Sequence, residues 1–180
     1  TGAITVTLGD LSSRTDIPAL TEGFESKQVP GLFLAGEVTG YALIRTAIAH
    51  GTLIADEVAQ RARRLNGSAP GGEAAVDLCV VGAGPAGIAC ALQSKAHGLR
   101  FVALEREELG GTVAKYPRRK LVMTQPAELP LHGRLNRSSY TKEELMELWT
   151  DVVQKSELPL RTGIEFQGLV RRPEGLLEVC

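Results

Sequence analysis

Apolar positions fall into two stretches separated by a polar break. In the first, Ile4 to Leu8 alternates apolar and polar residues, the period of a short strand. Residues 9–28 have no such period and read as loop. Pro30-Gly31 is a turn signal, Leu32-Phe33-Leu34-Ala35 a short buried strand, and Gly36-Glu37-Val38-Thr39-Gly40 a second turn. From about Ala42 to Arg64, the residues Leu43, Ile44, Ala47, Ile48, Ile54, Ala55, Val58 and Ala59 recur at helical spacing. Arg61, Arg63 and Arg64 close that helix, where cations suit the dipole. Gly51 interrupts it, at about 1 kcal/mol relative to Ala. The break, Asn66 to Glu73, has the composition of a flexible linker.

The second stretch opens with the apolar run Val76–Val81, a buried strand, followed by a helix over Pro85–His97 that Gly98 terminates. Arg100–Leu104 is a second strand. Residues 107–140 show little periodicity and several Gly and Pro; a loop that long is usually functional or disordered. Thr141-Lys142-Glu143-Glu144 is a capping box, and Leu145, Leu148, Trp149, Val152 and Val153 line one face of the helix it opens. Leu160–Val170 and Leu176–Val179 read as strands around a turn at Arg172-Pro173-Glu174-Gly175. The pattern divides the chain at 1–65, a linker at 66–75, and 76–180, all of α/β class.

Composition narrows the function. The 180 residues are 43% hydrophobic and 23% charged, with 20 Lys+Arg against 21 Asp+Glu and a net charge of -1. No apolar run reaches the ~18 residues of a membrane span. The balanced charge gives no electrostatic case for nucleic acid, and eight aromatics make a poor stacking platform. Cys79, Cys90 and Cys180 form no C-x-x-C, and His50, His97 and His132 are scattered, so no metal set is visible. A cytoplasmic setting is the expectation, with no nucleic acid and no membrane as partners. The chain begins at Thr1 with no basic-then-apolar leader, the expectation being a piece of something longer.

Gly82-Ala83-Gly84-Pro85-Ala86-Gly87 matches G-x-G-x-x-G directly after a strand and at the start of a helix. Gly82 allows the tight turn, Gly84 lets a pyrophosphate approach the backbone, and Gly87 lets helix and strand pack closely. Free N–H groups at the helix start and its positive dipole end favour phosphate, and Pro85 lacks only an N–H that the first turn does not use. Glu105 ends the second strand, 18 positions after Gly87. A carboxylate there accepts the hydroxyls of an adenosine ribose and disfavours a 2′-phosphate. The pair admits FAD or NAD.

The following segments carry a family resemblance. Leu109-Gly110-Gly111-Thr112-Val113 resembles the segment that runs beside the flavin in thioredoxin-reductase-like flavoproteins, which have two dinucleotide-binding domains. Tyr116 to Lys120, Met123-Thr124-Gln125-Pro126 and Leu131-His132-Gly133 resemble the subgroup that includes bacillithiol disulfide reductases. Val29 to Val38 resembles P-G-[LIV]-[FY]-x-A-G-[DE], which lies near the C-terminus of such enzymes and completes the FAD domain; Glu37 stands where the family usually has Asp. The resemblance implies a Rossmann-like FAD-binding domain with a central parallel sheet, its parts in permuted order. It implies FAD as cofactor, NAD(P)H for the full-length protein, and electrons passed to a disulfide or other acceptor. The implied cofactor contacts are Gly82, Gly84, Pro85, Ala86, Gly87, Glu105, Arg106, Gly111, Thr112, Val113 and Phe166, with Gly36, Glu37, Arg45, Thr46 and Ala47 from the first segment. No catalytic residue is assigned.

The order of the motifs is unusual, because the late motif precedes the early one. A fragment across two tandem modules and a permuted single FAD domain both account for it; the linker and the non-Met start favour the former. The segments can pair within one chain or between two, which allows a homodimer. A plain NAD-binding Rossmann domain and a non-catalytic interaction module are the alternative functions. Cys79, Cys90 and Trp149 read as core, Arg118-Arg119-Lys120, Glu107 and Glu108 as surface charge, and His132 as a residue near the cofactor.

Overall fold

Three short parallel strands form the centre of a computed structural model that describes residues 18–41, 43–64, 75–123, 126–135, 137, 139–173 and 175–180. The strand expected at Ile4–Leu8 and nearly all of the linker lie outside the described residues. Strand β1 (Leu78–Val81) pairs in parallel with β2 (Phe101–Glu105), Leu78 opposite Phe101. β2 pairs in parallel with β7 (Leu160–Thr162), giving the order β1-β2-β7. The parallel arrangement requires a crossover, and helix α2 (Pro85–Ala96) supplies it between β1 and β2.

Helix α1 (Ile44–Arg64) lies against α2. Its apolar stripe divides between two cores. Ile48 joins Ile88, Leu92, Leu129, Leu145 and Trp149, while Ile54, Ala55 and Val58 join Val80, Cys90, Ala91 and Ala103. α2 contributes to both, so it is apolar nearly all round, as a central helix must be. At the crossing a Cβ on Gly51 would lie 2.0 Å from the Ala86 carbonyl oxygen and 3.0 Å from the Cys90 nitrogen. The glycine that interrupts the helical pattern is therefore the point of closest approach. The residues before and after the linker thus pack together within one chain. His97 Nε2 and Gln93 Nε2 both meet Asp56 Oδ1, at 2.6 Å, along the same seam.

Three sequence expectations are corrected. Leu32–Ala35 is not a strand; it makes one isolated bridge, Phe33 with Glu25, because the loop of residues 20–34 folds on itself. The described residues of 107–140 hold regular structure. They hold a 3-10 turn (Gly111–Lys115) and the strands β3 (Leu121–Met123), β4 (Ala127–Leu129), β5 (Gly133–Leu135) and β6 (Tyr140–Thr141), paired β3 with β6 and β4 with β5. Strands of two or three residues are too short to display a period of two. The strand expected over 160–170 is split into β7 and β8 (Leu169–Arg171), with Gly163 at φ +75 beyond the end of β7. β8 forms a hairpin with β9 (Leu177–Val179).

The capping box holds as read: Thr141 Oγ1 accepts from the Glu144 N–H at 3.3 Å and Glu144 Oε2 accepts from the Thr141 N–H at 2.9 Å. It opens α3 (Lys142–Lys155), which buries Leu145, Trp149 and Val152. Among the described residues no helix is long and apolar enough to cross a membrane.

Candidate functional site

The turn between β1 and α2 is anchored at three points. The Gly82 N–H donates to the Leu104 carbonyl at 2.7 Å, the Ala83 N–H to Glu105 Oε2 at 2.7 Å, and the Gly110 N–H to the Ala83 carbonyl at 2.9 Å. Glu105 is buried, and its other oxygen accepts from the Glu107 N–H at 2.9 Å. The acid at the end of β2 therefore shapes the glycine turn as well as facing whatever binds there. Each carboxylate oxygen keeps acceptor capacity beyond these single bonds.

The glycines of this turn differ in what surrounds them. A Cβ on Gly87 would meet the Gly82 carbonyl oxygen at 1.9 Å, so that glycine serves close packing of helix on turn. Around a Cβ on Gly82 or Gly84 there is nothing within 4 Å. Gly82 has φ +99, which its lack of a side chain permits. Gly84 caps α2 with ordinary extended backbone at φ -78, and Pro85 follows at the first helical position. Open space over the backbone, at the N-terminus of a 12-residue helix, suits an anionic group.

The first segment reaches the same place. Gly36, at φ +77, has its Cβ position 3.7 Å from the Ala86 Cβ and 3.9 Å from the Ala47 Cβ. The 3-10 turn Gly36–Thr39 that follows is closed by Thr39 Oγ1 donating to the Gly36 carbonyl at 2.7 Å. Glu37 projects from it and accepts from Thr112 Oγ1 at 3.3 Å. The Cβ position of Gly111 lies 3.2 Å from the Gly84 Cα. Segments 75 residues apart in sequence thus meet across the glycine turn.

The remaining expected contacts are placed unevenly. Arg45 is exposed and Thr46 half-buried in the first turn of α1; Ala47 and Val113 are buried. Arg106 is exposed and pairs with Glu107 at 2.9 Å and Glu165 at 3.7 Å. Phe166 lies outside any strand, two residues beyond Ile164, whose N–H donates to the Glu105 carbonyl at 3.0 Å; its ring is 42% exposed. His132 is exposed in the turn between β4 and β5.

Glu107, Glu108 and Lys115 line an open cleft of about 200 Å³ together with Glu105, Arg106, Gly111 and Thr112. Glu107 and Glu108 are exposed, as surface charge should be, and their nearness to Glu105 puts them at the rim of the cleft. Hydrogen bonds from Lys115 and then Arg106 hold the Glu107 carboxyl below its usual range. Cys90 is buried and its thiol is pushed up to about 12 by that burial, so it is no nucleophile. Trp149 is fully buried in the core. Among the described residues no group of three His, Cys, Asp or Glu is placed to hold a metal.

Comparison with known proteins starts from the second segment. The family model described as "Pyridine nucleotide-disulphide oxidoreductase" matches residues 79–176, more than half of the chain. No curated protein matches the chain. Among solved structures, the bacillithiol disulfide reductase Bdr (YpdA) from Staphylococcus aureus is 17% identical over 51% of this chain and 29% of its own, with a TM-score of 0.43. A flavin-containing monooxygenase from Stenotrophomonas maltophilia is 21% identical over 58% of this chain and 36% of its own, with a TM-score of 0.45. A structure titled as OTEMO in complex with FAD and NADP is 15% identical over 59% of this chain and 22% of its own, with a TM-score of 0.48. The chain spans between 22% and 36% of the length of these three proteins. With the glycine turn and Glu105 inside the matched residues, the chain belongs to the pyridine nucleotide-disulphide oxidoreductase family.

Proposed function

We propose that this chain is the FAD-holding part of an NAD(P)H-dependent flavoprotein oxidoreductase. In this reading residues 76–180 are the early part of an FAD domain and residues 1–65 the late part, with the linker between them. The observation that carries it is the open space over Gly82 and Gly84 at the meeting point of both segments, where Glu37 reaches Thr112.

The residues present fit a dinucleotide. Gly82, Gly84 and the N–H groups of Ala86 and Gly87, at the start of α2 beside Pro85, would hold the pyrophosphate. Glu105 would accept the adenosine ribose hydroxyls, with Arg106 and Phe166 as further contacts. Gly36, Glu37, Gly111, Thr112 and Val113 would hold the rest of the cofactor. Arg45, Thr46 and Ala47, in the first turn of α1, would bring that helix's positive end to it, where negative charge is favoured.

Bound flavin would supply hydride and electron transfer; the chain's own part is to bind, orient and tune it. The nicotinamide donor and the acceptor, a disulfide or another redox centre, fall to parts of the protein beyond these residues.

The test is reconstitution of the purified protein with FAD, followed by gel filtration. Retained flavin absorbance with quenched flavin fluorescence is the expected result. Protein that stays colourless after FAD addition, yet enhances NADH fluorescence, would establish a nicotinamide site instead. Protein that binds neither would leave only an interaction module.

A further inference from the structure

His50 is the one buried ionisable group on α1, and nothing in the proposed function uses it. It is 6% exposed, and its Nδ1 is buried without a hydrogen-bond partner among the described residues. The imidazole stacks on Phe24 with ring centroids 4.0 Å apart and meets Tyr41 edge-on at 5.8 Å. Phe24 has φ +65, a strained backbone for an aromatic residue, so the loop is held in this form by its contacts.

The loop of residues 20–34 meets α1 at the Phe24–His50 contact, at the Glu25–Arg61 ion pair and where Arg61 lies 5.1 Å over the Phe33 ring, and of these only the first is sensitive to protons near neutrality. At the second, the Glu25 oxygens accept from Arg61 at 2.9 and 2.8 Å and from the Gly31 N–H at 2.7 Å. The Arg61 hydrogen bonds and the Gly31 N–H hold the Glu25 carboxyl at about 2, so this anchor stays ionised throughout mildly acidic conditions.

Among the described residues, no charged or titratable group makes a hydrogen bond or ion pair with the imidazole. Glu22, Glu25 and Lys27 on the loop, Tyr41 and Glu37 on the turn, and Arg45 on the same helix make no hydrogen bond or ion pair with His50. On α2 the buried Cys90 thiol is kept un-ionised by that burial. The neutral Nε2–H tautomer leaves only a lone pair at the buried Nδ1. Protonation puts an N–H there with no acceptor, a larger penalty than a cation–π contact with Phe24 returns.

We propose that His50 is a proton-sensitive latch, whose imidazolium expels Phe24 and loosens that part of the 20–34 loop on acidification, while the Glu25–Arg61 pair still tethers the loop to α1. The loop runs directly into Gly36 and Glu37, so its loosening extends to the first segment's edge of the dinucleotide site. Burial lowers the His50 pKa, so the open form binds the proton better. The closed form is therefore fully favoured above the ordinary histidine value of about 6.5 and loses ground as pH falls below it.

Hydrogen exchange on the purified protein tests this at the N–H groups of Phe24, Ser26 and Leu34, which donate within the loop to Thr21, Leu32 and Phe24. Protection factors are compared at about pH 7.5 and about pH 5.5, either side of the ordinary histidine value. The expected result is a fall of up to about tenfold in the unaltered protein, the limit set by a pH about one unit below the ordinary histidine value, absent in His50→Phe and His50→Gln. Protection that does not change with pH in the unaltered protein overturns the latch. So does an equal fall in either variant that folds, since Asp56–His97 remains in both and would then be the cause. The readout is independent of bound flavin, so it stands or falls separately from the FAD reading.

Discussion

The open turn at the start of α2 and the seam where α1 crosses it are both built on glycine, for opposite reasons. Gly51 at the seam and Gly87 where α2 packs on its own turn are glycines because protein backbone occupies the space of a side chain: a Cβ would lie 2.0 Å from the Ala86 carbonyl oxygen and 1.9 Å from the Gly82 carbonyl oxygen. In the turn, Gly82 and Gly84 have nothing within 4 Å of that position. Close packing accounts for the first pair completely. It does not account for Gly84, whose φ of -78 any residue could adopt. A glycine that neither conformation nor packing demands points to a group from outside the protein.

The largest test of this contrast is Gly51→Val. The added side chain has backbone on its far side and cannot be absorbed by a rotamer change, so α1 must part from α2 and disturb both cores. Overpacking of this kind costs about 3 kcal/mol, and urea unfolding is expected to show it as a lowered midpoint with the cooperativity retained. A midpoint unchanged from the parent would mean that the two segments do not pack as described.

What could be read from sequence follows the same division. Strand, glycine turn, helix, second strand and Glu105 were legible because each rests on neighbours within a few positions, as does the Thr141–Glu144 capping box. The Gly51 crossing was legible only as a flaw in a helix, because its cause is Ala86, which lies far along the chain. That Glu37 and Thr112 belong to one cofactor site was implied by family likeness alone; nothing local to either residue specifies their contact. Residues 107–140 read as loop since β3 to β6 take their pairing from one another and from α3. The loop of 20–34 was misread at Leu32–Ala35 because Glu25 and Arg61, 36 positions apart, fix its path.

A smaller effect is expected at Gly82, which lies between the two classes. Its φ of +99 disfavours a side chain although the space is free. Gly82→Ala should cost about 1–2 kcal/mol through backbone strain alone. The same urea titration checks it, and a loss as large as that of Gly51→Val would show a steric clash where open space is described.

The smallest change in stability and the sharpest functional consequence belong together at Gly84. Alanine there adopts the same extended backbone, meets no atom, and serves somewhat less well as a helix N-cap, so about 0.5 kcal/mol is expected. If the space above it is kept for a pyrophosphate, the methyl group occupies the line of approach, and FAD affinity should fall by about tenfold or more. Titrating FAD fluorescence quenching with the parent and Gly84→Ala, alongside their unfolding midpoints, separates the two quantities. Unchanged affinity would place the cofactor elsewhere. A loss of stability equal to that at Gly51 would mean that Gly84 also serves packing, and its openness would then say nothing about a ligand.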